Sequence, residues 1–336
     1  MTSIKCIESM AYGFRKTGQQ EQKVLQQKEC SESTDLRDLS AAFNEWLVYL
    51  RETMRKNPFK NLSDNKLWEA AVSQAKDLNA SFSSINAFLV MHESTSDFVD
   101  NAGIFASALY NKLEEKVLVF DFTIPGIDYI GYRVDDKTLV NLKSIGRLFG
   151  AYANSTVLNY GNAGSPLALG SKAVVDYGSA ADSVGTLAGF VIELGNGGTV
   201  IGAQAYGPVI DFSGKAWFAG QGSSSFTIVP HQQKDLLLFA GVIRAVTTRV
   251  DGIICFSPEE YSRMPELQNY LLSLKRDFEA GRHDYNKAIS AIERLGPEPG
   301  KRIHDDIANI LLKYQNINTD LRTLLSQKED IKCDIK

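Results

Sequence analysis

Side chains that carry redox, metal or acid–base chemistry are sparse in this chain. Four cysteines in 336 residues, Cys6, Cys30, Cys255 and Cys333, form no CxxC pair, which argues against a zinc site and against a dense disulfide framework. Four histidines, His92, His231, His283 and His304, stand in unrelated contexts, with no HExxH and no second histidine at helical spacing. They read as satisfied or solvent-facing side chains. No G-x-S-x-G nucleophile motif occurs. The longest apolar run, Leu236 to Val246, is interrupted by Arg244 and falls far short of the roughly 20 residues that cross a bilayer. Charge of one sign is scarce too. Lys+Arg 36 against Asp+Glu 40 leaves a formal net charge of -4, so there is no basic footprint for nucleic acid or an anionic membrane. The first ten residues hold Lys5 and Glu8 and lack the apolar core of a secretion signal. Together with the cysteine usage, this points to a reducing, cytoplasmic setting.

What the chain does have is glycine, 26 of them, clustered in the middle. Residues 1–35 are polar and Gln-rich and read as a weakly ordered arm. Region 36–116 is helical. Leu36, Leu39, Phe43, Trp46, Leu50 and Met54 recur at three- and four-residue steps and line up one apolar stripe. Further helices are expected over 63–78, with Ser63 as N-cap, and over 97–114, around Phe98, Ile104, Phe105, Leu109 and Leu113.

Region 117–235 changes character, because one pattern repeats along it. VLNYGNAGSPLALGSKA at Val157 is followed by VVDYGSAADSVGTLAGF at Val174, VIELGNGGTVIGAQAYGP at Val191 and VIDFSGKAWFAGQGSSS at Val209, at steps of 17, 17 and 18 residues. The same template fits backwards at Leu139 and Val119 and forwards at Phe226. Each coil opens with two apolar residues, a polar one, an apolar or aromatic one, and then a glycine or small residue. A short strand ending in a tight corner needs this order, with glycine free to enter left-handed backbone. No coil buries its apolar side alone, whereas stacked layers about 4.8 Å apart build a continuous core. The expected fold is α+β: a central single-stranded parallel β-solenoid flanked by N-terminal helices and a C-terminal helical hairpin or coiled coil.

Region 236–256 reads as a cap or transition. Region 257–336 begins with an N-cap signal at Ser257, Pro258 and Glu260, followed by a stripe at Met264, Leu267, Leu271, Leu274 and Phe278 that ends near Gly281. A second helix is expected over 283–295, and GPEPG at 296–300 is a breaker. Ile303, Ile307, Ile310, Tyr314, Ile317, Leu321 and Leu324 then follow coiled-coil spacing.

The motif in VLNYGNAG and VIELGNGG resembles the glycine-rich, GXGXG-type solenoid repeats of the C-terminal domain of the glutamate synthase large subunit. The stretch GIFASALYNKL with IDYIGYRV is similar to the lead-in of uncharacterised archaeal proteins with the same repeat. The likeness covers about residues 103 to 230, with Lys143 and Ser213 standing where other coils have the corner glycine. It implies a structural domain without catalytic residues or cofactors, and an accessory place in an amidotransferase or oxidoreductase complex.

Two features could carry function. GNGGTVIG at 195–202 looks like a phosphate loop, but it lacks GK[ST] and recurs with the coil period, so it reads as solenoid corners. The third coil position is Asn141, Asn159, Asp176, Glu193 and Asp211, which stacks three carboxylates in neighbouring layers. Such a row is read as an exposed strand position kept charged for solubility, or else as a site for cations or basic partners at Asp176, Glu193 and Asp211. Tyr160, Tyr177 and Phe212 occupy the next position and are expected to stack in the core. The expected function is a non-catalytic scaffold whose solenoid and C-terminal helices mediate protein–protein interaction or self-association. The alternatives are the accessory subunit just named, and a small-ligand or cation binder using the solenoid face or a groove between solenoid and helices.

Overall fold

The computed structural model describes residues 35–52, 64–92, 99–213, 216, 218–221, 223, 225–229 and 262–314. Outside them lie the N-terminal arm up to residue 34, the four cysteines, His231, the 230–261 segment with its expected N-cap at Ser257, and Met54, Ser63 and Phe98. So do Ile317, Leu321 and Leu324 of the heptad pattern.

Four helices come first: α1 over 35–52, α2 (Asp64–Ala75), α3 (Phe82–His92) and α4 (Val99–Tyr110). The α1 stripe is real, since Leu39, Phe43, Trp46 and Leu50 are all buried. Helix α3 was not anticipated from the sequence, although its signal is there. Ser81 Oγ accepts from Ser84 N at 3.1 Å as an N-cap, and Ile85, Phe88 and Leu89 follow at helical spacing. Lys112 closes the end of α2 by donating to Ala75 O at 2.8 Å and Lys76 O at 2.7 Å, carbonyls a helix end leaves unsatisfied.

The solenoid follows. Its main sheet holds seven parallel strands: β1 (Val117–Phe120), β2 (Asp135–Asn141), β3 (Asn154–Asn159), β4 (Ala173–Asp176), β5 (Val191–Glu193), β6 (Val209–Asp211) and β7 (Thr227–Ile228). Two three-stranded parallel sheets make the other sides, one from Ser144–Ile145, Asn162–Ala163 and Ser179–Ala180, the other from Ser183–Val184, Val200–Ile201 and Phe218–Ala219. Leu139, Val157, Val174, Val191 and Val209 are register partners in turn, as the repeat predicts. The first and last coils are displaced by one residue from that expectation. Leu118, not Val119, pairs with Leu139, and Thr227, not Phe226, pairs with Val209. In VLVF every residue is apolar, so its pattern fits the inward side in either register.

The corner glycine after each main strand also has a different cause from the one expected. Gly178 and Gly195 are not left-handed. A Cβ on Gly178 would lie 2.0 Å from Gly161 O, and one on Gly195 would lie 2.3 Å from Gly178 O, so stacked coils approach too closely there for any side chain. Left-handed residues instead mark the turn after each Ser183–Val184-type strand, as at Gly185 with Leu187 and Gly202 with Gln204.

Two hydrophobic cores use opposite sides of the main sheet. The first coil position points inward and joins the N-terminal helices in one core that runs from Leu39 through Phe120 and Val174 to Ala216. Ser107 stitches α4 to the first coil: its Oγ donates to Tyr129 O at 3.0 Å and accepts from Tyr132 N at 3.1 Å. The second position points outward, where Val140, Leu158, Val175, Ile192 and Ile210 meet α5 (Pro265–Glu279), α6 (Tyr285–Arg294) and α7 (Pro299–Leu312). Both sides being covered explains why the strands open with paired apolar residues. Helix α5 starts at Pro265, after Met264, and α6 is capped by Asp284, whose side chain accepts from Asn286 N. Of the heptad stripe, Ile303 and Ile307 are buried against the solenoid sheet, so the described part of that stripe packs within the chain. No helix among the described residues is long and apolar enough to cross a membrane.

Candidate functional site: a buried polar ladder

Alternation along a strand puts residues two apart on the same side. The third coil position therefore shares the inward side with the valines of the first. Asn141, Asn159, Asp176, Glu193 and Asp211 are all fully buried and stacked in register. This corrects the expectation of an exposed, water-screened row, and it removes a surface for basic partners at Asp176, Glu193 and Asp211.

Each ladder side chain closes its own corner. Asn141 Oδ1 accepts from Lys143 N at 3.2 Å, Asp176 Oδ1 from Gly178 N at 2.9 Å, and Glu193 Oε1 from Gly195 N at 2.7 Å and Gly197 N at 3.1 Å. Asp211 Oδ1 accepts from Ser213 N at 2.8 Å and Ser213 Oγ at 2.5 Å. These are the local side-chain to backbone bonds that Asn and Asp favour in turns, and the longer Glu193 reaches the same place by folding back. Gly197 makes the room, since a Cβ there would lie 2.2 Å from Glu193 Oε2.

The ladder is also bonded along the solenoid axis. Asn141 Nδ2 donates to Asn159 Oδ1 at 2.7 Å, and Asn159 Nδ2 donates to Asp176 Oδ1 at 2.9 Å. An amide both donates and accepts, so a column of them pairs without charge. The column then meets two buried carboxyls that are register partners on neighbouring strands, Asp176 and Glu193. Two buried carboxylates in adjacent layers repel one another, and a retained proton relieves that repulsion. Burial pushes the Asp176 carboxyl up to about 6, with bonds from Asn159 and Gly178 pulling it back. Burial, and then the charge of Asp176, push Glu193 well above the usual carboxylate range. Both shifts run the same way, so the pair favours keeping a proton that free carboxylates would release. Asp176 Oδ2 and Glu193 Oε2 are buried with no hydrogen-bond partner among the described residues, a deficit that a proton shared between the two carboxyls would relieve. Among the described residues no group of three or more His, Cys, Asp or Glu side chains is placed to hold a metal ion.

The remaining candidates lie apart. His92 packs between Phe43 and Phe88, where burial lowers its pKa. His304 stacks on Phe226 with centroids 4.7 Å apart and pairs through Nδ1 with Ser225 Oγ at 2.7 Å. His283 is exposed in the loop between α5 and α6. Tyr160 and Tyr177 stack as expected, with centroids 4.5 Å apart and planes 11° apart, but in the outer core under α5. Their hydroxyls donate to Gly281 O at 2.7 Å and Phe278 O at 2.8 Å, satisfying carbonyls at the end of that helix. Lys275 Nζ stands 5.8 Å from the ring of Phe212. The glycine-rich segment 195–202 forms a coil corner leading into strand Val200–Ile201, with no helix after it.

No protein-family model, no curated protein and no solved structure matches this chain.

Proposed function

We propose that this protein is a non-catalytic scaffold that presents a rigid solenoid and associates through its C-terminal helical layer. The observation that carries this reading is the saturation of the main sheet. Its inward apolar side chains join the N-terminal helices, its outward ones are clad by α5 to α7, and its inward polar ladder is bonded from layer to layer. Such a body resists deformation, because interlocked layers do not yield one at a time. Association has an apolar handle on the helical layer, where Leu272 of α5 is 54% exposed and Leu312 of α7 is 40% exposed. Size-exclusion chromatography with light scattering of the full chain tests this. The reading expects a mass at least twice that of one chain, and a single-chain mass in Leu272→Glu with Leu312→Glu at unchanged melting temperature. A wild-type chain that stays monomeric at high concentration overturns it.

A further inference from the structure

Three lysines of the solenoid occupy one coil position, and they line a cleft. Lys116 precedes β1, Lys137 lies in β2 and Lys172 precedes β4; the register of Val117 with Thr138, and of Thr156 with Ala173, places them in one column with Ser155 between Lys137 and Lys172. The cleft holds about 290 Å³ between this column and the turn from α6 to α7, where Ile289, Ile292, Glu293 and Pro299 form the opposite wall. Its volume is at the small end of ligand pockets, which span roughly 300–1,000 Å³.

The polar residues that line it are incompletely paired among the described residues. The Lys137 side chain is only 8% exposed, and its ammonium donates to Leu113 O at 2.6 Å and Glu115 O at 2.9 Å. Lys137 forms no ion pair among the described residues, and burial, followed by the Lys116 charge, lowers its pKa. A buried cation held only by carbonyls is a costly arrangement that a nearby anion relieves. Lys172 is exposed and makes no salt bridge among the described residues. Thr138 and Thr156, register partners on neighbouring strands, have hydroxyls without a hydrogen-bond partner among the described residues. Of the two acids in the lining, Asp136 is held by Lys116 at 2.5 Å, and Glu293 faces the lysines from α6.

We propose that this cleft binds a small ligand through one oxyanion head, a phosphate or a carboxylate, seated on the exposed Lys172 with the hydroxyls of Thr138 and Thr156 and drawn by the charge of Lys137. Three lysines against two acids leave a single excess positive charge, which suits one anionic head. Glu293 then favours a ligand whose other end donates hydrogen bonds. Because one wall belongs to the solenoid and the other to α6 and α7, an occupied cleft ties the helical layer to the sheet. This site is independent of self-association, which uses the outer surface of that layer.

The test titrates the full chain with inorganic phosphate and, separately, with acetate, against chloride of equal ionic strength, read by calorimetry and by melting temperature. Saturable binding of phosphate alone identifies a phosphate head, and saturable binding of acetate a carboxylate. Lys172→Glu, an exposed change that leaves the fold intact, is expected to weaken binding at least 10-fold, and Thr156→Val to weaken it severalfold. Neither anion binding beyond the chloride control, or binding unaltered in Lys172→Glu, overturns the proposal.

Discussion

Replacing Asp176 by Asn tests the ladder at its most constrained point. In the wild type, the Asn159 amide and Gly178 N both donate to Asp176 Oδ1, and the Glu193 carboxyl stands in register in the next layer. An asparagine keeps the accepting oxygen and turns the other atom into a donor toward Glu193, so the amide column extends by one layer and no carboxyl has to share a proton. The sign follows from the direction of the shift. Asp176 is raised from 3.8 to about 6, so the folded protein holds a proton that the unfolded chain releases. The stability it contributes is complete below pH 4 and is lost as pH climbs through 6; Glu193, also raised, adds to the loss. The rise in Asp176 alone corresponds to about 3 kcal/mol, at 1.36 kcal/mol per pH unit. For a domain of this size that is roughly 5–10 °C of melting temperature. Thermal unfolding at half-unit steps from pH 4 to pH 8 should show the wild type declining along that range, with Asp176→Asn declining less steeply and more stable at pH 8, because Glu193 stays buried. Asp182→Asn, at an exposed coil corner, serves as the control with a wild-type slope. A decline in Asp176→Asn as steep as that of the wild type would refute a shared proton.

Other outcomes follow from close approaches and helix ends. Gly195→Ala forces a methyl to within 2.3 Å of Gly178 O, backbone against backbone, and should cost about 3 kcal/mol or more by chemical denaturation. Tyr177→Phe removes the hydroxyl that bonds Phe278 O and should cost about 1–2 kcal/mol, with faster amide exchange confined to the end of α5. Gln204 is exposed with φ at 54°, a backbone region that asparagine enters at lower cost, so Gln204→Asn should raise stability by about 0.5 kcal/mol.

The solenoid was legible because stacking forces equivalent residues into contact. Val157, Val174, Val191 and Val209 had to recur at a near-fixed interval, and they pair in that order. The end coils slipped by one residue where apolar runs such as VLVF leave the register degenerate. The ladder was visible as a column, yet its side was misjudged, although strand alternation already sets Asp176 with Val174 and Glu193 with Val191. Charge suggested water. A carboxyl that keeps its proton, or that has corner N–H groups to accept from, is compatible with the interior. The corner glycines were found for the wrong reason, because close approach between coils depends on three-dimensional stacking, which local sequence does not display. Helix α3 carries an N-cap serine and an Ile85, Phe88, Leu89 stripe, both readable in advance. The lysine column emerges only when the repeat is extended two residues before its apolar pair, and its facing wall comes from helices more than a hundred residues away.

The most direct test of the buried ladder is a carbon-detected NMR titration of the Glu193 side-chain carboxyl, assigned by its loss in Glu193→Gln. A carboxyl enclosed between Asp176 and Asp211 should ionise with a midpoint well above the usual carboxylate range. Ionisation with a midpoint near 4, as on a wet surface, would contradict the inward ladder and the shared proton together.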